Sequence, residues 1–464
     1  MDALLDAVAE LVGPNHVLRD EDVHARRADW LSGEACLARA LVRPANTDQL
    51  AQVVALCHAA GQPIVTHGGL TGLVGGAVAG AEELVISLER MTAIEAVDPV
   101  SGTMTVQAGA PLQLVQEAAA EAGMQFALDL GARGSCTIGG NIATNAGGVR
   151  VIRYGMMRDL VLGLEAVLAD GTLVSSMNRM LKNNAGYDLK QLFIGTEGTL
   201  GIVTRAVLRL QPQPAATHTA LVACADFASL TGLLQDIRQS LGGELGAFEV
   251  MWHSFYALLT DESGRHTAPI SADAPYYVLI EALCSQQAGS AERFERAIGS
   301  AFEKELLVDA VVASSEHQRE RLWAIREDVE GLSHLLAPRF AFDISLPIPD
   351  MELYVRNLET AVAEHWTDAR VVVFGHLGDG NLHVSVATGG KDEVTRQRVE
   401  ALVYEPLQAL GGSISAEHGI GLHKRNQLQL SRNPAEIALM QRMKDALDPL
   451  QLLNRHKVLP DPGH

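Results

Sequence analysis

Residues 131–148 read Gly-Ala-Arg-Gly-Ser-Cys-Thr-Ile-Gly-Gly-Asn-Ile-Ala-Thr-Asn-Ala-Gly-Gly, and this stretch constrains the fold more than any other. Gly131, Gly134, Gly139, Gly140, Gly147 and Gly148 are interleaved with Ser135, Thr137, Asn141, Thr144 and Asn145. Residues without a Cβ let a ligand lie close against the main chain. Backbone N–H groups left free in such a loop suit an anion or a row of ring heteroatoms. A plain cluster of turns at the rim of a sheet is the alternative. A second stretch, His67, Gly68, Gly69, Leu70, Thr71, Gly72, Leu73, Val74, Gly75 and Gly76, follows the apolar run Pro63-Ile64-Val65. It reads as a strand opening into a phosphate-cradling loop. Two such loops in one chain point to a nucleotide-type cofactor.

The familiar nucleotide motifs are missing. No G-x-G-x-x-G opens a helix, so the dinucleotide-binding Rossmann reading fails. The absence of G-x-x-x-x-G-K-[ST] argues against a P-loop NTPase. A formal net charge of -20 argues against nucleic acid or an anionic membrane surface as partner. It also means that an anionic substrate needs a locally basic site. Cys36, Cys57, Cys136, Cys224 and Cys284 are odd in number and form no CxxC, which predicts reduced thiols in a cytoplasmic setting. The opening Met1-Asp2-Ala3-Leu4 lacks a basic signal region, and no apolar run reaches the ~20 residues of a membrane span. A soluble, cytoplasmic protein is the expectation.

At 464 residues more than one domain is expected, and the pattern predicts an α+β chain. A helical lead-in is expected over 1–39. Over 40–214 the strands 40–44, 63–66, 84–88, 103–108, 161–168 and 200–210 accompany helices at 47–60 and 112–122, capped at Asn46 or Thr47 and closed by Gly123. Gln211-Pro212-Gln213-Pro214 reads as a boundary. From 215 to 410, strands at 220–225, 277–282 and 370–374 alternate with helices at 229–240, 289–306 and 351–364, which predicts a mostly antiparallel cap. A segment over 411–464 carries a final helix at 434–448.

Residues 371–385 read Val-Val-Val-Phe-Gly-His-Leu-Gly-Asp-Gly-Asn-Leu-His-Val-Ser. The spacing predicts a strand, a Gly378–Asn381 turn and a return strand, so His376 and His383 can face one another. Two histidines hydrogen-bonded at a sheet end is the bland reading. Ser415-Ala416-Glu417-His418-Gly419 adds a carboxylate and a third imidazole. Two His plus one carboxylate with open positions describes a catalytic metal site.

The order and wording of both glycine loops resemble the vanillyl-alcohol-oxidase class of FAD proteins, and within it the D-2-hydroxyglutarate and D-lactate dehydrogenase flavoproteins. The resemblance continues through 164–171, 186–203, 371–385, 413–425 and 448–459. It implies a two-subdomain FAD-binding domain over 40–214, the α+β cap over 215–410, and a C-terminal segment returning to the flavin site. It implies non-covalent FAD on His67, Gly68, Gly69, Leu70, Thr71, Gly72, Gly131, Ser135, Thr137, Gly139, Gly140, Asn145, Gly147, Gly148, Gly198, Ile202 and Asn454. Leu70 stands where the family usually has Asn. His376, His383 and Glu417 match divalent-metal ligands, with zinc expected first and manganese or iron after it. His418 matches the residue at the substrate hydroxyl, and Arg326 the carboxylate-binding arginine; Lys424 and Arg425 are further basic candidates.

The resemblance thus implies oxidation of a D-2-hydroxy acid to its 2-oxo acid. Which acid turns on the pocket. Glu330, Ala341 and Ser385 stand where hydroxyglutarate enzymes place a Thr, a Lys and an Asn. A buried Glu330 repels a second carboxylate and Ala341 offers no counter-charge. Arg339 compensates only if its strand register is regular. A lactate-like monocarboxylate is therefore the first expectation, with D-2-hydroxyglutarate next. The expected partners are the small anionic hydroxy acid, a second chain in a homodimer, and an electron acceptor such as an electron-transfer flavoprotein, a quinone or a cytochrome. A flavin oxidase using O₂, a non-catalytic flavin-binding partner and a non-haem iron oxygenase are the competing readings. The last leaves both glycine loops without a purpose.

Overall fold

The computed structural model describes residues 3–30 and 33–460; the outermost ends of the expected lead-in and C-terminal segments lie outside them. The chain divides into two units. One runs to Gly148 and adds Tyr154–Gln213 and the chain from Glu417 on; the other holds Val149–Arg153 and Pro214–Ala416.

In the first unit, Asn46 accepts from the Gln49 N–H and starts the helix Thr47–Ala60, which ends at Gly61 in the left-handed region. Leu50, Val53, Val54 and Cys57 recur at helical spacing and are its buried stripe. The helix links Ala40–Val42 to Ile64–His67, and both pair in parallel with Leu84–Ser87 between them. That central strand is buried throughout, as a parallel strand covered on both faces must be. Val17–Leu18 adds to the other edge of Ala40–Val42. The lead-in is therefore part of this unit, with Leu5, Val8 and Val12 of the helix Ala3–Val12 in its core. A second, antiparallel sheet has the order Ile94–Asp98, Thr103–Gln107, Ile202–Arg209, Val161–Val167, Leu173–Ser176.

The C-terminal helix Pro434–Leu447 begins with a capping box between Asn433 and Glu436. Near its end Lys444 is buried, and its Nζ donates to Asp448 Oδ2 at 2.5 Å and to the carbonyls of Thr199 and Leu453 at 2.8 Å. The chain then runs beside Ile64–His67, with Asn454 N–H donating to the Ile64 carbonyl at 2.8 Å. The C-terminus thus braces the strand that delivers the first glycine loop.

The second unit is a seven-stranded sheet in the order Asp309–Val312, Ala216–Cys224, Tyr276–Cys284, Leu245–Trp252, Arg370–His376, Asn381–Ala387, Phe340–Ser345. Every pairing in it is antiparallel. Leu322, Trp323 and Ile325 of the helix Glu316–Glu327 pack in one core with Leu279, Val372 and Phe374 of the sheet. Leu245–Trp252 is a strand the sequence does not announce, whereas Phe340–Ser345 is the strand expected beside Arg339. Each interrupts its apolar run with a buried acid, Glu249 or Asp343.

Candidate cofactor and metal sites

The strand Ile64–His67 ends in the first glycine loop, and the His67 ring closes it by bonding the Ala77 carbonyl at 2.8 Å. Burial pushes its pKa down to about 4, so the ring is neutral. A Cβ on Gly69 would strike the Ser135 carbonyl, and one on Gly68 would sit 2.7 Å from Thr137 Oγ1. The two glycine stretches therefore lie backbone against backbone, and a side chain at either position would separate them. A Cβ added to Gly72 or Gly131 would meet nothing within 4 Å, which leaves room for a ligand beside the main chain. Leu70, between Gly69 and Gly72, has φ 56, a region that Asn tolerates better than Leu.

In the second unit, Arg370–His376 and Asn381–Ala387 are joined by the short turn Leu377–Asp379 and Gly380, whose φ is 86. His376 pairs with Asn381, and Phe374 with His383. The two imidazoles meet across the turn with their Nε2 atoms 3.4 Å apart. Each opposite ring nitrogen faces a buried acid. His376 Nδ1 is 2.8 Å from Glu249 Oε1, and His383 Nδ1 is 3.7 Å from Asp343 Oδ1. Asp343 also accepts from Asn381 Nδ2 at 2.8 Å and from the Ala416 N–H at 3.1 Å. Glu417 and His418 follow Ala416 directly.

Arg326 is buried, its guanidinium lying 4.7 Å over the Phe374 ring. Its Nη2 stands 2.7 Å from Glu249 Oε2, yet Nε and Nη2 have no hydrogen-bond partner among the described residues. Burial drives the Glu249 carboxyl upward, but His376, Arg326 and Arg150 together outweigh it and hold the group below its ordinary value. Further along the same face, Arg339 Nη1 donates to Ser385 Oγ at 2.7 Å and Nη2 to Ser333 Oγ at 2.6 Å. Among the described residues no carboxylate pairs with it, and burial pushes its guanidinium below the usual range.

An FAD binding domain matches residues 38–176, and the C-terminal domain of FAD linked oxidases matches residues 213–458. The chain belongs to the FAD-linked oxidases. This FAD-linked oxidase is 36% identical over 452 residues to the mitochondrial D-2-hydroxyglutarate dehydrogenase of Arabidopsis thaliana, covering 97% of the chain and 80% of that protein. It is 40% identical over 443 residues to the D-2-hydroxyglutarate dehydrogenase of Xanthomonas citri pv. viticola, covering 93% and 91%. Among solved structures it superposes on p-cresol methylhydroxylase with a TM-score of 0.76 at 16% identity, covering 100% of the chain and 98% of that one. Alkyldihydroxyacetonephosphate synthase gives 0.75 at 17% identity, covering 98% and 86%. These two share the fold: an FAD-binding part of the vanillyl-alcohol-oxidase type joined to an α+β part.

Several expected site residues of this FAD-linked oxidase serve the chain itself. Gly139 and Gly140 lie in the short helix Ile138–Ala143, capped by Thr137, and not in an open loop. A Cβ on Gly148 would strike the Asp129 carbonyl; Gly147 is buried and Ser135 exposed. Asn145 turns the chain at φ 49 and accepts from the Arg158 N–H at 2.9 Å. Asn454 commits its amide to protein backbone, accepting from Thr66 N–H at 3.0 Å and donating to the Glu197 carbonyl at 2.5 Å. Gly198 lies close to that amide, and Ile202 opens a buried strand. Arg425 donates to the His456 carbonyl at 2.6 Å.

The expected burial of Glu330 needs correction. Glu330 has a side chain 89% exposed, so it imposes no buried repulsion, and Ala341 is also exposed. Ser385 is buried, and Arg339 does reach it. Two acids escape the sequence reading. Glu249 hides in an apolar strand. Glu197, read only as part of a glycine motif, accepts from the N–H groups of Ile420 at 2.6 Å and Gly421 at 2.9 Å and so holds the loop that follows His418.

Proposed function

We propose that the protein uses non-covalent FAD and one divalent ion to oxidise D-2-hydroxyglutarate to its 2-oxo acid, with His376, His383 and Glu417 as metal ligands. The observation that carries the metal reading is the 3.4 Å separation of the two Nε2 atoms, with an acid behind each ring. Two nitrogens each ~2.0–2.1 Å from a tetrahedral zinc stand about 3.3–3.4 Å apart. Acids on the far ring nitrogens are the usual outer partners of metal-binding histidines. The donor set also suits manganese or iron. Gly72 and Gly131 leave the loop backbone open on one side, which fits a bound dinucleotide.

When bound, FAD supplies the acceptor for the C2 hydrogen, and the ion supplies a Lewis acid that lowers the hydroxyl pKa. The chain's own residues do the rest. Arg326, its Nη2 held by Glu249 and its buried Nε without a hydrogen-bond partner among the described residues, takes the C1 carboxylate in the forked geometry at which arginine excels. His418 accepts the proton that leaves the substrate hydroxyl oxygen. Arg339 supplies positive charge for the second carboxylate. Ser385 lies two residues from His383 on one strand face, about 7 Å along it, so both ends of a five-carbon diacid have a cation. This favours D-2-hydroxyglutarate over the monocarboxylate that the sequence suggested, in line with the names of the relatives.

Electrons then pass to an electron-transfer flavoprotein, a quinone or a cytochrome. Five buried free thiols support a reducing, cytoplasmic setting. Among the described residues no helix is long and apolar enough to cross a membrane. Steady-state kcat/KM with an artificial electron acceptor across D-lactate, D-2-hydroxybutyrate, D-malate and D-2-hydroxyglutarate tests the substrate. A preference for D-lactate contradicts it.

A further inference from the structure

One buried carboxylate is shared by two groups with different duties. Glu249 is 1% exposed. Its Oε1 meets His376 Nδ1 at 2.8 Å, and its Oε2 stands 2.7 Å from Arg326 Nη2. Nothing in the local sequence requires an acid there: the strand Leu245–Trp252 is otherwise apolar and buried end to end. A neutral side chain would pack more cheaply, since a buried carboxylate is expensive unless its partners are close.

We infer that Glu249 is a positioning residue that couples the metal-facing side of His376 to the anion-binding guanidinium of Arg326. The inference rests on the metal and substrate roles proposed above. A carboxylate accepting from Nδ1–H fixes the tautomer with its lone pair on Nε2 and raises the basicity of that nitrogen. The same carboxylate orients Arg326, so the two demands compete for one negative charge. Relieving Arg326's claim leaves more of Glu249's charge to His376, with only the more distant Arg150 still drawing on it, and strengthens His376 as a ligand. Arg326 thereby acts on a metal it does not touch, and by linkage the metal acts on Arg326.

A double-mutant cycle on the flavin-loaded protein tests this, reading Zn²⁺ affinity by chelator competition in wild type, E249Q, R326Q and E249Q/R326Q. The E249Q change should weaken Zn²⁺ about 10–100-fold. R326Q should tighten it about 3–10-fold beside Glu249, and change it less than about 2-fold in the E249Q background. A purely structural role for Glu249 cannot produce tightening that depends on a second residue. Equal tightening in both backgrounds means that Arg326 and the ion merely repel one another, and overturns the inference. Should E249Q fail to fold, E249D carries the same cycle: the shorter acid withdraws from Nδ1, so R326Q should again lose most of its effect. A wild type that takes up no Zn²⁺ overturns the metal reading itself, a result distinct from an additive cycle.

Discussion

His376 and His383 face each other through their Nε2 atoms at 3.4 Å across a turn that their own strands close. Two protonated rings at that distance repel, and two neutral rings share at most one N–H···N bond. A cation between them satisfies both lone pairs at once. The turn makes this possible because Gly380 takes a left-handed φ of 86, which a side chain would resist.

The flavin should be released by acid precipitation, because the His67 ring is buried and committed to the Ala77 carbonyl. A yellow supernatant over a colourless pellet is the expected result. Chromophore retained in the pellet contradicts non-covalent binding.

Leu70→Asn should stabilise the protein. A leucine at φ 56 bears about 1 kcal/mol of backbone strain that asparagine largely avoids. Thermal unfolding should show a rise of about 2 °C, and an unchanged or lower midpoint would show that Leu70's packing matters more.

Asp448→Ala should cost about 3–5 kcal/mol in urea unfolding, since it strands the buried Lys444 ammonium. Flavin affinity should fall with it, because the segment after Asp448 braces the strand Ile64–His67. Wild-type stability in this variant contradicts the bracing role.

The sequence makes the helix Thr47–Ala60 legible through its Asn46 cap and its period-3.6 apolar stripe, and the His376–His383 hairpin through its apolar run and glycine turn. It conceals what depends on long-range packing. Glu249 and Asp343 sit in strands without clear alternation, and their partners lie 127 and 40 positions away by residue number. Glycines also carry structural duties the sequence does not display: Gly68 and Gly69 are needed where two chain segments touch, and Gly139 lies in a helix. The pocket residues Glu330 and Ala341 are misjudged because sequence position alone does not say which side chains are buried.

Arg326→Lys should lower kcat/KM about 100-fold, because an ammonium cannot make the forked contact. Arg339→Gln should act on selectivity: the ratio of kcat/KM for D-2-hydroxyglutarate over D-2-hydroxybutyrate should fall about 30-fold. An unchanged ratio would place the second carboxylate elsewhere.

Anaerobic mixing of the zinc-loaded protein with D-2-hydroxyglutarate, followed through the flavin absorbance, tests the central claim most directly. The wild-type flavin should bleach with the D acid and not with the L acid. In His376→Ala the flavin should remain bound, since its loops belong to the other unit, yet stay oxidised on the same timescale while zinc content falls. Bleaching of the zinc-free variant at the wild-type rate, or a wild-type flavin that the D acid leaves oxidised, would contradict the account.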